Sequence, residues 1–328
     1  MSPLGVPNLE PKLEERLLAD MQKVESLLRT HIEGDYPLVV ETSRHLVQAG
    51  GKRLRPLLTL ISAQFGDPNK FGIIEAAVVC ELTHLATLYH DDVMDEAPLR
   101  RGVESANNRW GNSVAILTGD YLFAKASDLL ADLGPEAVRL QAKTFERLVI
   151  GQINETQGNA AGTTMIDHYL KVVSDKTGSL IATSARFGAM LSGAEPRVIE
   201  LLTQFGEKVG IAFQIADDLL DVQSDSTESG KTPGTDLKEG IPTLVTLYAM
   251  NSKDPADKDL VERLSKPIPD SELSKTITQL RNHKSVLEVK AYLRTIADEA
   301  DALLAELPAT PAKDALANLI TALISRST

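Results

Sequence analysis

Apolar residues recur along this chain at helical spacing. Leu13, Leu17, Met21, Val24 and Leu28 form one stripe. The stretch 37–49 reads as a second helix, opened by a proline and stopped by Gly50 and Gly51. "RPLLTLISAQFG" and "GIIEAAVVCELTHLATLYHDD" read as the next two; the second is apolar nearly all round, which predicts a buried helix. Further helices are predicted over 108–133, 135–157, 166–191, 196–222 and 242–250. The C-terminal third, "SELSKTITQLRNHKSVLEVKAYLRTIADEADALLAELP", is polar and amphipathic and predicts outer packing. "SDSTESGKTPGTDLKEG" (224–240) reads as a loop. There is no βαβ alternation and no hairpin signature. The pattern predicts an all-α fold: a loose, proline-bearing arm over 1–11, then a single domain over 12–328, a bundle of about ten or more helices.

Composition narrows this picture. Apolar residues make up 43% of the 328 and aromatics only 4%, so the core is aliphatic and alanine-rich, which favours helices over strands. Acidic residues outnumber Lys and Arg by 46 to 34, a net charge of -12, the wrong sign for a general nucleic-acid binder. Cys80 is the only cysteine, which excludes intrachain disulfides and Cys-based zinc sites and fits a reducing compartment. The N-terminus lacks an apolar core of signal-peptide type. No run approaches the roughly 18 apolar residues of a membrane span. The expectation is a cytoplasmic protein with no transmembrane segment.

Against the aliphatic background, "LYHDDVMDEAPLRRG" (88–102) stands out, with three aspartates within five residues. "HDDVMD" at 90–95 is echoed by "ADDLLD" at 216–221, each after an apolar helix. In D-D-x-x-D on a helix the first and fifth positions share a face. Asp91 and Asp95 therefore present two carboxylates side by side, as do Asp217 and Asp221. Like charges so placed cost about 0.2–0.5 kcal/mol per pair, so a compensating partner is implied. Oxygen-only clusters suit a hard cation such as Mg²⁺, which takes one or two carboxylates plus water and phosphate oxygens. One such cluster could be a solvated helix end; two suggest helices facing a common cavity.

Basic residues supply the complement. "GGKRLRP" (50–56) places three cations in four residues beside a glycine pair, Arg100 and Arg101 follow Asp95, Lys176 lies in "SDKTGSL" and Lys231 in "SGKTPGTD". Any one of these could be an ordinary surface cation. Arg grips phosphate oxygens through its fork and Lys acts as a point charge. Acid, divalent cation and Arg/Lys together describe a polyphosphate site.

At this point the sequence resembles a family, the trans-isoprenyl diphosphate synthases. The matching stretches are "GGKRLRP", "ELTHLATLYHDDVMDEAPLRRG", "SDKTGSL", "FQIADDLLDV" and "GKTPGTDLKEG", in the family's order across 50–240. The resemblance implies helices around a deep central cavity. It implies that Asp91, Asp95 and Asp217 hold about two or three Mg²⁺ ions on an allylic diphosphate, such as farnesyl or geranylgeranyl diphosphate, with Asp92, Asp218 and Asp221 close by. Arg100, Lys176 and Lys231 would bind that diphosphate. Lys52, Arg55, His84 and Arg101 would bind isopentenyl diphosphate, and Thr177 and Gln214 would lie near the reacting carbons. His84 taken alone also reads as a core histidine. The chemistry implied is ionisation of the allylic C–O bond, attack by the isopentenyl double bond and proton loss, driven by electrostatic stabilisation of the leaving pyrophosphate. A homodimer is implied as well. The chain departs from the family's pattern at Ile241, where many members carry a lysine, and Lys238 is a candidate substitute.

Within the family, a bulky aromatic four or five residues before the first aspartate closes the tail pocket. Here those positions are Ala86 and Thr87, with Thr83 a turn further back, so a product longer than C20 is expected. Three other readings compete. A terpene cyclase shares the all-α fold but lacks the "GGKRLR" cluster. A metal phosphohydrolase would use the His90–Asp91 doublet but needs ligands that six histidines do not obviously supply. A degenerate subunit would have lost one aspartate cluster.

Overall fold

A computed structural model describes residues 3–34, 36–159, 161–223 and 234–325. The described residues are overwhelmingly helical, and their contacts gather into two compact units. The first comprises 1–146, 180–206 and 306–318; the second comprises 147–179, 207–305 and 319–328.

In the first unit, α1 (Pro11–His31) opens with Glu10 accepting the Leu13 amide at 2.9 Å and buries Leu13, Leu17, Val24 and Leu28, the stripe read from sequence. Val6, in the preceding arm, is also buried. Proline starts α2 (Pro37–Gln48), where its missing N–H costs nothing. Helix α3 (Leu54–Ser62) begins at Arg53, whose φ of 47° is left-handed. Helix α4 (Ile73–Met94) is the apolar rod that sequence foretold, buried from Ile73 through Tyr89 on most sides. Glu75 caps it by accepting the Gly72 amide at 3.0 Å.

The expected helix over 108–133 is in fact two, α5 (Ala106–Trp110) and α6 (Asn112–Asp132). Gly111, at φ 83° and ψ 160°, breaks it in a backbone conformation that only glycine adopts at ease. Helix α6 packs along α4, and at Gly119 any Cβ would overlap the His90 ring. Helix α9 (Ser179–Ser192) approaches α3 so closely that a Cβ at Gly188 would overlap the Thr59 carbonyl.

The absence of a hairpin is corrected by the structure. β1 (Leu99–Arg100) pairs antiparallel with β2 (Val103–Glu104) through a two-residue turn at Arg101 and Gly102, both at positive φ (53° and 78°). That is the turn that matches strand twist.

The second unit holds α8 (Met165–Val173), a five-residue π-turn over Ser174–Gly178, and the residues of α10 (Pro196–Gln223) from 207 onward. α7 (Pro135–Gln157) contributes its residues from 147 onward. The helices Leu244–Met250 and Lys284–Ala305 pack together; the second buries Val289, Leu293, Ile296 and Ala300 along one face. Part of the expected loop forms a short helix, Thr235–Glu239, and 224–233 lie outside the described residues.

Candidate active site

In the first unit, Asp91, Asp92 and Asp95 occupy the last turn and C-cap of α4. This is the negative end of the helix dipole, where carboxylates are unfavourable and cations favourable, and no basic residue sits in that turn. Asp92 is fully buried; its Oδ1 accepts from Arg100 Nε at 2.5 Å, while Oδ2 has no hydrogen-bond partner. Burial raises its pKa, opposed by Arg100 and reinforced by Asp95. The hairpin that follows α4 folds back to deliver Arg100 to this turn.

The same hairpin aims Arg101 the other way. Its guanidinium donates to the carbonyls of Leu46 (3.0 Å) and Gly50, and a Cβ at Gly51 would press on it at 3.0 Å. The glycine pair of "GGKRLRP" therefore makes room for an arginine from elsewhere in the chain. Arg53, in the middle of that motif, is spent on structure: it pairs with Glu25 (2.5 Å) and with buried Glu81 (2.7 Å). Lys52 and Arg55 flank this anchor. Arg55 is held with its Nε buried and unpartnered, and burial lowers its pKa.

His84 is kept neutral. Burial comes first among the causes, and then the positive charges of Arg55, Arg101, Arg100 and Arg53, which together hold its pKa well below the ordinary value. Four guanidinium charges thus act on one uncharged imidazole. Such a group donates a hydrogen bond to an anion without itself needing a counter-charge. Of the residues expected to bind isopentenyl diphosphate, Arg55, His84 and Arg101 are thus brought within each other's field.

Along α4 toward its N-terminus, Ala86 is fully buried and Thr83 accepts from Gln141 Nε2 at 2.7 Å. Thr87 is half-buried, its hydroxyl turned onto the His84 carbonyl at 2.8 Å. Phe123 and Phe145 meet at 4.4 Å with their rings tilted by 58°, and Phe123 lies 5.8 Å from the His90 ring. His90 faces α6, with Nε2 3.1 Å from the Ile116 carbonyl and 3.4 Å from Asp120.

In the second unit, a chain of hydrogen bonds joins four side chains. Thr177 donates to Gln214 Oε1 (3.0 Å), Gln214 donates to Asp218 Oδ1 (2.8 Å), and Tyr169 donates to Asp218 Oδ2 (2.5 Å). Burial lifts Asp218 to about 6, with Asp217 and Asp221 adding to the rise. Lys176 pairs with Glu155 at 2.5 Å. Asp221 also caps the short helix that follows, accepting the Asp236 amide at 3.2 Å. Lys238 pairs with Asp270 at 2.8 Å, and Ile241 is exposed. Lys231 lies outside the described residues. Sequence reasoning did not single out Tyr169, Glu155, Glu81 or Glu25; of these only Glu81, a carboxylate within the apolar run of α4, carries a signal in the sequence.

No three of the described His, Cys, Asp and Glu side chains converge tightly enough to hold a metal unaided. An oxygen-only donor set with one buried, unpartnered carboxylate oxygen at Asp92 still fits a hard divalent ion that keeps water and takes substrate oxygens. Among the described residues, no helix is long and apolar enough to cross a membrane.

Known proteins are similar to this chain along nearly its whole length. The Polyprenyl synthetase family profile matches residues 36–281. A nonaprenyl diphosphate synthase of Mycobacterium tuberculosis is 48% identical over 310 residues, covering 94% of this chain and 92% of that protein. The crystal structure of a geranylgeranyl pyrophosphate synthase from Corynebacterium glutamicum, complexed with calcium and isoprenyl diphosphate, superposes with a TM-score of 0.87 at 43% identity, covering 97% of this chain and 98% of that one. A decaprenyl diphosphate synthase from Rhodobacter capsulatus superposes with a TM-score of 0.87 at 32% identity, covering 97% and 99%.

Proposed function

The chain belongs to the polyprenyl synthetase family, and on that premise we propose that it is a trans-prenyltransferase: it adds isopentenyl diphosphate head-to-tail to an allylic diphosphate and makes a linear product longer than C20. The observation that carries the reading is the convergence of arginine charge on neutral His84, next to an acid cluster at the wrong end of a helix dipole. Arg55, Arg101 and His84, with Lys52, bind the isopentenyl diphosphate. Asp91, Asp92 and Asp95, and in the other unit Asp217, Asp218 and Asp221, hold divalent metal, taken here as Mg²⁺, for the allylic diphosphate. A bound divalent ion supplies Lewis-acid charge for the departing pyrophosphate. Arg100 and Lys176, with Lys231, take the remaining oxygens, released from Asp92 and Glu155 as substrate arrives. Gln214 orients the Thr177 hydroxyl, and Asp218 orients Gln214. Thr177 then faces the reacting carbons with a fixed dipole.

Chain length rests on two supports. The small side chains at Ala86 and Thr87 leave no aromatic barrier before the first aspartate, and the 48%-identical relative is a nonaprenyl synthase. A C20 product is the second reading, favoured by the 43% identity to a geranylgeranyl pyrophosphate synthase. Exposed Ile116 and Leu117 on α6 support a homodimer, testable by sedimentation. The experiment is incubation of purified protein with Mg²⁺, farnesyl diphosphate and labelled isopentenyl diphosphate, followed by chromatography. Label in chains beyond C20 is expected. Label stopping at C20 overturns the length, and no incorporation overturns the activity.

A further inference from the structure

The π-turn at Ser174–Gly178 carries both Lys176 and Thr177. A π-turn interrupts regular helical hydrogen bonding and persists only where its surroundings over-determine it. The surroundings here come from one face of α7. Arg147, Gly151 and Glu155 are spaced four apart, and all three meet the turn. At Gly151 any Cβ would sit 2.8 Å from the Lys176 amide nitrogen, so the turn lies directly on the helix. Glu155 receives Lys176. Arg147 does the anchoring: Nε donates to Asp175 at 2.6 Å and Nη2 donates to Ser174 Oγ at 2.6 Å, so it holds two of the turn's five residues. Its outer edge grips Glu207, through Nη1 at 3.2 Å and through Nη2, and Ser174 Oγ donates to the same carboxylate at 2.6 Å. Lys171 Nζ closes on the other oxygen of Asp175, which is fully buried. No substrate group is needed to explain this arrangement, and none of Arg147, Asp175 or Glu207 has a part in the chemistry proposed above.

We propose that Arg147, braced by Glu207, is a positioning residue that fixes the π-turn in the one register at which Lys176 and Thr177 meet the allylic diphosphate. The inference rests on the proposed prenyltransfer. The planar fork matters as much as the charge: a lysine reaches one of these acceptors and leaves the others unanswered. Hydrogen bonds from Arg147 and Ser174 outweigh the effect of burial and keep the Glu207 carboxylate below the ordinary range, so the brace persists at working pH.

The test compares wild type with Arg147→Lys and Glu207→Gln. Steady-state kinetics are run separately for allylic and isopentenyl diphosphate, with active enzyme counted by titration and hydrogen exchange followed over 174–178. Arg147→Lys is expected to lower kcat per active molecule about 10–100-fold and to raise the allylic KM, a loss typical of supporting residues. The isopentenyl KM should stay near wild type, because its site is assigned to Lys52, Arg55, His84 and Arg101. Exchange over 174–178 should quicken. The double variant should lose little more than either single one. A lower active fraction with unchanged kcat per active molecule marks a merely structural role and overturns the proposal, as does an equal rise in both KM values. Wild-type protein without turnover sinks the functional reading. Unchanged exchange over 174–178 in Arg147→Lys sinks the positioning one.

Discussion

Replacing Asp218 with asparagine should stabilise the metal-free protein at alkaline pH while removing its activity. Asp218 is 9% exposed, with Tyr169 and Gln214 donating to its two oxygens. Burial first, then the charges of Asp217 and Asp221, lift its pKa from 3.8 to about 6. The unfolded chain loses this proton near the lower value and the folded chain near the higher. Between the two the folded state holds more protons, so stability falls as pH rises, by about 1.4 kcal/mol per pH unit. Over roughly two units this amounts to about 3 kcal/mol, present below the lower pKa and gone above the upper one. Asparagine has nearly the same volume and cannot ionise. It gives back part of the gain, since hydrogen bonds to a charged acceptor are about twice as strong as neutral ones. Thermal unfolding in EDTA, followed by circular dichroism at about pH 4.5 and pH 8, reads the difference. The variant's melting temperature relative to wild type should rise by several degrees between the two, on the scale of about 2–4 °C per kcal/mol. A difference that does not change with pH, or a wild type that gains on the variant at pH 8, refutes this account of Asp218.

Glu81→Gln breaks a buried ion pair with Arg53 while Glu25 remains, so a loss of about 3 kcal/mol is expected in denaturant unfolding. Because Arg53 sits between Lys52 and Arg55, the isopentenyl KM should rise more than the allylic KM; an unchanged unfolding midpoint contradicts the first expectation and equal KM changes the second. Thr87→Phe, at a half-buried position, should shorten the product with the fold intact, as read by product chromatography. Ala86→Phe, at a fully closed one, should also overpack α4 and cost about 1–3 kcal/mol of stability. If Thr87→Phe leaves chain length unchanged, Thr87 does not line the tail path.

The helices of this protein are legible in its sequence because they begin and end on local signals. Pro37, Pro135 and Pro196 mark first turns, and the buried faces repeat at 3.6 residues. The acid clusters were legible because two matched patterns are hard to place in a solvated surface. Three features escaped. The hairpin has two-residue strands, too short for any alternation to register. The break at Gly111 lies inside an otherwise helical pattern, where a lone glycine only lowers helix propensity. The π-turn has no local code, since Arg147 and Glu207, which hold it, lie far from it in sequence. The middle arginine of "GGKRLRP" shows the same limit. Its neighbours Lys52 and Arg55 and Arg53 itself look alike in sequence, and only Glu25 and buried Glu81 reveal that Arg53 is structural.

Two diphosphate sites of different chemistry, one built on arginine and histidine and one on carboxylates and metal, are the centre of this account. Isothermal titration tests them directly: isopentenyl diphosphate, and separately a non-ionising farnesyl thiodiphosphate, are titrated into purified protein with Mg²⁺ and with EDTA. Isopentenyl diphosphate should bind in both buffers, because guanidinium and imidazole groups suffice, and the farnesyl analogue should bind only with Mg²⁺. Equal binding of the farnesyl analogue in EDTA, or an isopentenyl diphosphate site that vanishes without metal, would contradict it.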